Sequence, residues 1–140
     1  MPYLTKQFKF CAAHKYWNES WDYEKNYQVF GDDVKVHGHN YILDVTITGE
    51  INPDSGFIVD IQEIKSIVSE NVINILDHSQ IEKDIEWFDG KQPSTENLVL
   101  FIWEQISSKI KIPARLYKIK LRETPTIFTE YFGPNIYGNQ

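Results

Sequence analysis

Cysteine is almost missing from this chain of 140 residues: Cys11 is the single one. One thiol closes no internal disulfide, so a reducing compartment is its natural setting. Long apolar runs are missing too. No stretch approaches the ~18 consecutive apolar residues of a membrane helix, and "MPYLTKQFKF" at the N-terminus reads as neither a secretory signal nor an anchor. Nor is there an excess of positive charge: 14 Lys and Arg against 20 Asp and Glu give a net charge of −6. That balance argues against a general nucleic-acid binder, which needs a basic stripe; the basic residues here are dispersed, as in Lys118, Lys120 and Arg122. Internal repeats and low-complexity segments are absent as well. The expectation is a soluble, cytoplasmic protein with one domain over 1–140, large enough to build a core without disulfides.

What is present fits a folded chain, with 41% hydrophobic and 14% aromatic residues. Phe8, Phe10 and Ala12 alternate with Gln7, Lys9 and Cys11, the period of a half-buried strand, and His14 continues the parity of the phenylalanines. By that parity Cys11 points away from His14 and reads as a small buried hydrophobe. Residues 15–35 are polar with scattered aromatics and read as a long excursion, a length usually kept for function. A second strand is expected over Val36–Thr48, with an apolar face of odd positions. "NPDSG" is a turn signal leading into a short strand "FIVD". Asp60 and Glu63 suggest a capping box opening a helix whose apolar face is Ile61, Ile64, Val68, Val72 and Ile75. A second helix starts near Ser94, with Leu98, Ile102, Ile106 and Ile110 along one side. Two strands close the chain, "RLYKIKLRE" and "IFTEYF". In the first, Tyr117, Ile119, Leu121 and Glu123 share a face, so a carboxylate ends an apolar stripe and needs a partner or ligand. This order predicts an α+β fold, an antiparallel β-sheet with two helices on one face.

The four histidines carry the chemistry. His37 and His39 stand two apart on one strand, where side chains point the same way roughly 6.5–7 Å apart. His14, at the end of another strand, offers a third nitrogen. Three neutral imidazoles suit zinc and leave a fourth position open, as catalytic sites do; otherwise the histidines simply cap their strands.

In its order of motifs the chain resembles the 6-pyruvoyl-tetrahydropterin synthase family, which includes 6-carboxytetrahydropterin synthases. The motifs are "FCAAH", "VFG", "HGHNY", "TITGEINPDSGFIVD", "LDH", "PSTENL", "FIW" and "YKIKLRET", covering nearly its whole length. The resemblance implies a tunnelling fold whose sheets assemble into a barrel, as a trimer stacked into a homohexamer. It implies Zn²⁺ on His14, His37 and His39, a charge relay of Asp77 and His78, and Glu123 as anchor of the pterin ring. Thr95 and Glu96 would help to hold the pterin. The implied substrate is 7,8-dihydroneopterin triphosphate, whose side chain loses triphosphate and rearranges as protons are moved along it.

One departure stands out. The family's usual base is a cysteine four to six residues before the first His of HGH, and those positions here are Asp33, Asp32 and Gly31. A carboxylate is less basic than a thiolate by about 4.6 pKa units, roughly 6 kcal/mol. Asp33 is the candidate replacement, with Asp32 beside it. The open alternatives are side-chain cleavage to a 6-carboxy- or 6-hydroxymethylpterin, or a pterin-binding protein that has lost turnover.

Overall fold

The computed structural model describes residues 1–134; the last six positions of the expected domain lie outside the described residues. Strands β1 (Tyr3–His14), β2 (His37–Thr48), β3 (Arg115–Thr124) and β4 (Ile127–Tyr131) form one antiparallel sheet in the order β1-β2-β3-β4. Its inner face carries Phe8, Phe10, Tyr41, Leu43, Val45, Ile119 and Leu121, all buried. Against that face pack α2 (Ile61–Val68), its continuation, and the long helix Thr95–Ile106, through Ile64, Val68, Val72, Leu98, Ile102 and Ile106. The expected α+β arrangement is therefore present. Among the described residues no helix is long and apolar enough to cross a membrane.

Side-chain caps set the helix starts. Asp60 accepts the Gln62 N–H, Ser94 accepts the Asn97 N–H, and in the 15–35 excursion Asp22 accepts the Lys25 N–H to open α1 (Tyr23–Phe30). That excursion is built rather than loose. Asn26 is fully buried, and its side chain bonds both the N–H and the carbonyl of Asn18. Gln92 ties to Trp17 in the same two-way fashion, at 3.2 and 2.8 Å.

Three expectations are corrected. "FIVD" is not a strand: the Phe57 carbonyl accepts from Asn52 and its N–H donates to Ser55, so its backbone is used up in the Asn52 turn. The helix face does not run through Ile75. A π turn, Ser69–Ile73, succeeds α2 and leads into α3 (Asn74–Leu76); its extra residue shifts the phase by one, so Leu76 is buried while Ile75 is 38% exposed. In β3 the pairing shifts register opposite Thr46 and Ile47, which puts Leu116 in the core in place of Tyr117. Tyr117 instead packs its ring against Tyr3 at 4.4 Å.

Candidate active site

Strand register gathers the three histidines. In the β1–β2 ladder His14 faces His37, and His39 faces Ala12, whose small side chain leaves the ring room. Their ligating nitrogens all lie within 4.8 Å of one another. The ring of His14 sits 4.6 Å from that of His37 and 5.0 Å from that of His39.

The ring orientations are set by main-chain carbonyls. His14 Nδ1 donates to the Pro93 carbonyl at 2.8 Å, and His37 Nδ1 donates to the Lys35 carbonyl at 2.8 Å. Each bond fixes a tautomer whose Nε2 carries a free lone pair, the way metal-binding histidines are usually held. Among the described residues, His14 Nε2 is the one buried side-chain nitrogen or oxygen with no hydrogen-bond partner. Burial pushes the pKa of His14 down to about 4, and His37 and His39 add to the effect, so at neutral pH its ring is uncharged.

Glu123 joins them from β3. Its Oε1 lies 3.4 Å from His14 Nε2 and 3.4 Å from His39 Nε2. With His14 neutral the first contact is no ion pair: a carboxylate oxygen faces a nitrogen lone pair. Burial raises the pKa of Glu123, while His39 and His37 pull it back. Such a set of acceptors aimed at one point calls for a cation or a shared proton between them. The donor set is that of a three-histidine metal site.

Around this centre lie further acidic groups. Asp33, 58% exposed, brings Oδ1 to 3.7 Å from His37 Nε2. Asp32 is turned aside, accepting from the Tyr27 hydroxyl at 3.3 Å. Glu96 is exposed and shares a cavity with Tyr16, Asp33 and Ser94. Thr95 is buried, and its hydroxyl is committed: it donates to Glu96 at 2.9 Å and meets the Thr129 hydroxyl at 2.7 Å. Tyr16, which sequence reasoning passed over, packs its ring 5.0 Å from that of His14. Burial, then Glu123, Asp33 and Glu96, hold its hydroxyl far above the usual tyrosine range.

Asp77 and His78 sit elsewhere, on the outer edge of β1. Asp77 Oδ2 holds His78 Nδ1 at 2.9 Å, and Asp77 Oδ1 accepts the Cys11 N–H at 2.9 Å. These two hydrogen bonds, that from the Cys11 N–H first, keep the Asp77 carboxyl below its usual range. The structure thus brings His14, His37, His39, Glu123 and Asp33 together, and keeps Asp77 and His78 apart from them. Cys11 points away from His14 as parity predicts, but it is not an inert buried hydrophobe. It is partly exposed, and its Sγ lies 3.7 Å from Asp77 Oδ1 and 3.7 Å from His78 Nε2. That contact spans 66 residues of sequence or more, and no local pattern signals it.

The family model for 6-pyruvoyl tetrahydropterin synthase matches residues 3–134. The chain belongs to this family. A 6-pyruvoyl tetrahydrobiopterin synthase of Dictyostelium discoideum is 36% identical over 130 residues, which cover 93% of this chain and 95% of that protein. The solved 6-pyruvoyl tetrahydropterin synthase of Caenorhabditis elegans is 33% identical, with a TM-score of 0.86 over 96% of this chain and 98% of that one. A further relative has a different name: a dihydroneopterin monophosphate aldolase of Pyrococcus furiosus, 30% identical over 81% of this chain and 82% of its own length. This 6-pyruvoyl tetrahydropterin synthase family member is accordingly an enzyme of the lyase type that its synthase relatives represent.

Proposed function

We propose that the chain is a zinc-dependent enzyme acting on 7,8-dihydroneopterin triphosphate, with one Zn²⁺ per chain on His14, His37 and His39. The observation that carries this reading is the meeting of acceptors: the orphaned, buried His14 Nε2 and the His39 Nε2 both face Glu123 Oε1 at 3.4 Å. Lone pairs converging in that way are repulsive until a cation lies among them. Zinc supplies Lewis acidity there, of the kind that lowers the pKa of water from about 15.7 to about 7, here turned on a side-chain hydroxyl and its neighbouring C–H bonds.

The chain's own groups do the rest. Asp33, beside His37, takes a proton from the side chain of the substrate. His78, held by Asp77 but lying apart from this centre in its own chain, moves a second proton on the substrate of a neighbouring copy in the assembly, and moving both eliminates triphosphate. Glu123 accepts paired hydrogen bonds from the guanidine-like edge of the pterin. With the Thr95 hydroxyl committed to Glu96 and Thr129, Glu96 supplies the pterin contact of that segment. The enzyme works in the cytoplasm as a homo-oligomer, a trimeric barrel stacked into a hexamer; an open sheet with two edges to cover supports that assembly.

A second reading is side-chain cleavage. It is favoured by the carboxylate Asp33 where the family usually has its cysteine, and by the relative named as an aldolase. Elemental analysis tests the metal: about one zinc per chain, largely lost in His37→Ala and in His39→Ala. Full zinc retention in both variants sinks the assignment. Product analysis after incubation with the triphosphate separates elimination from cleavage, and zinc and pterin binding without turnover identifies a binding protein.

A further inference from the structure

Tyr16 follows His14 where the chain leaves β1, and the excursion holds it firmly. Its N–H donates to the Asp33 carbonyl at 2.9 Å, which ties the start of the excursion to the turn carrying Asp33. Its ring lies 5.0 Å from that of His14 and 6.5 Å from that of His37. It also stacks on Phe30 at 5.6 Å, and Phe30 stacks on Trp21 at 5.9 Å. This run of rings fixes the phenol beside the histidine cluster. The groups around it are acceptors: Glu123, Asp33 and Glu96 all bear on the Tyr16 hydroxyl. Nearby donors are spent elsewhere. The Nδ1–H groups of His14 and His37 go to main-chain carbonyls, the Thr95 hydroxyl to Glu96, and the Gln92 amide to Trp17. Among the described residues the Tyr16 hydroxyl has no hydrogen-bond partner, and it is not sealed in the core. Tyr16 lines a cavity of about 310 Å³ that Asp33, Ser94 and Glu96 also line. A ligand bringing its own oxygen acceptors into such a site needs a donor, and Tyr16 has one to give.

We propose that Tyr16 is a substrate-binding residue of this enzyme, its hydroxyl donating a hydrogen bond to an oxygen of the substrate's side chain. This rests on the pterin reaction proposed above. The side chain is the partner, rather than the pterin ring, because of where Tyr16 is anchored. Its main chain is tied to Asp33 and its phenol lies beside His14 and His37, the groups that face the side chain in that reaction. Glu123 and Glu96 serve the ring. The phenol keeps its proton throughout: it orients the hydroxyl-bearing chain in front of Asp33 and leaves proton transfer to other groups. A substrate without those hydroxyls gains nothing from it, so Tyr16 also selects for them.

The test is fluorescence titration of full-length, zinc-loaded protein with two ligands. Neopterin carries the side-chain hydroxyls, and 6-methylpterin has the same ring without them. Tyr16→Phe keeps the aromatic ring and removes only the hydroxyl. It should bind neopterin about tenfold more weakly than the wild type and 6-methylpterin equally well, with zinc content and denaturant midpoint unchanged. A merely structural role weakens both ligands together, and that result overturns the proposal, as does unchanged neopterin affinity. Tyr16→Leu, which removes ring and hydroxyl, should lose the same preference for neopterin over 6-methylpterin; a preference retained there overturns the contact too. Wild type that binds neither ligand overturns the pterin reading and this contact together. Wild type that binds both and turns over the triphosphate, with no preference lost in Tyr16→Phe, overturns the contact alone.

Discussion

At the histidine centre a buried imidazole and a half-buried carboxylate shift in opposite directions. His14 falls to about 4 when folded against about 6.5 when exposed, so the unfolded chain takes up a proton that the native site refuses. Its contribution is therefore complete above about pH 6.5 and is lost as the pH drops towards 4, on the order of 3 kcal/mol in all. Glu123 is raised, so it stabilises at low pH and loses that contribution as the pH rises through its folded value, which offsets part of the loss. Denaturant midpoints of chelated protein between pH 7 and 4 should fall accordingly, and fall more steeply in Glu123→Gln. The same variant should weaken pterin binding by about 1.5–3 kcal/mol, read by fluorescence titration, because a charged acceptor becomes a neutral one. Asp33→Asn should cut turnover roughly 10²–10⁴-fold while zinc content holds, measured by product formation. Much of this centre was legible in the sequence, since strand parity alone aims His14, His37, His39 and Glu123 inward. Tyr16 and the carbonyls of Lys35 and Pro93 were not, because their contacts depend on how the excursion folds back.

Elements were legible where their period was undisturbed, as in β1, β2 and the helix Thr95–Ile106. They were misread wherever one residue was added. A π turn and a shifted strand pairing each move an apolar stripe by one position, and only packing against the rest of the fold decides where such an irregularity falls. The correction can be measured. Leu76→Ala should cost about 2–5 kcal/mol in chemical denaturation, as for other buried leucines. Ile75→Ala should cost well under about 1 kcal/mol, since Ile75 is 38% exposed. The π turn also sets the angle at which the chain leaves the helix for Asp77 and His78. Deleting one residue within Ser69–Ile73 rotates the Asp77–His78 segment about the helix axis by about 100°. Helical circular dichroism should survive that deletion, while the denaturant midpoint should fall as Leu76 is turned out of the core.

Over the whole molecule, the ladder between β1 and β2 is unbroken from Tyr3 opposite Thr48 to His14 opposite His37. Along its last residues β1 serves two different environments: His14 looks inward to His37 and His39, while Cys11 looks outward to His78 and Asp77. Alternation by a single residue is all that keeps the thiol away from the histidine cluster proposed to hold zinc. One residue inserted after Lys9 leaves composition and charge almost unchanged, yet it exchanges the two sides of the strand if the earlier pairing holds. The thiol then enters the inner site, an extra sulfur donor beside the proposed metal position, and the imidazole is turned outward. Such an insertion should give a chain that still folds around its sheet but whose metal site has changed in chemical kind, visible as a thiolate charge-transfer band when cobalt replaces zinc. In this fold the spacing of strand pairs is therefore also the partition between two chemistries.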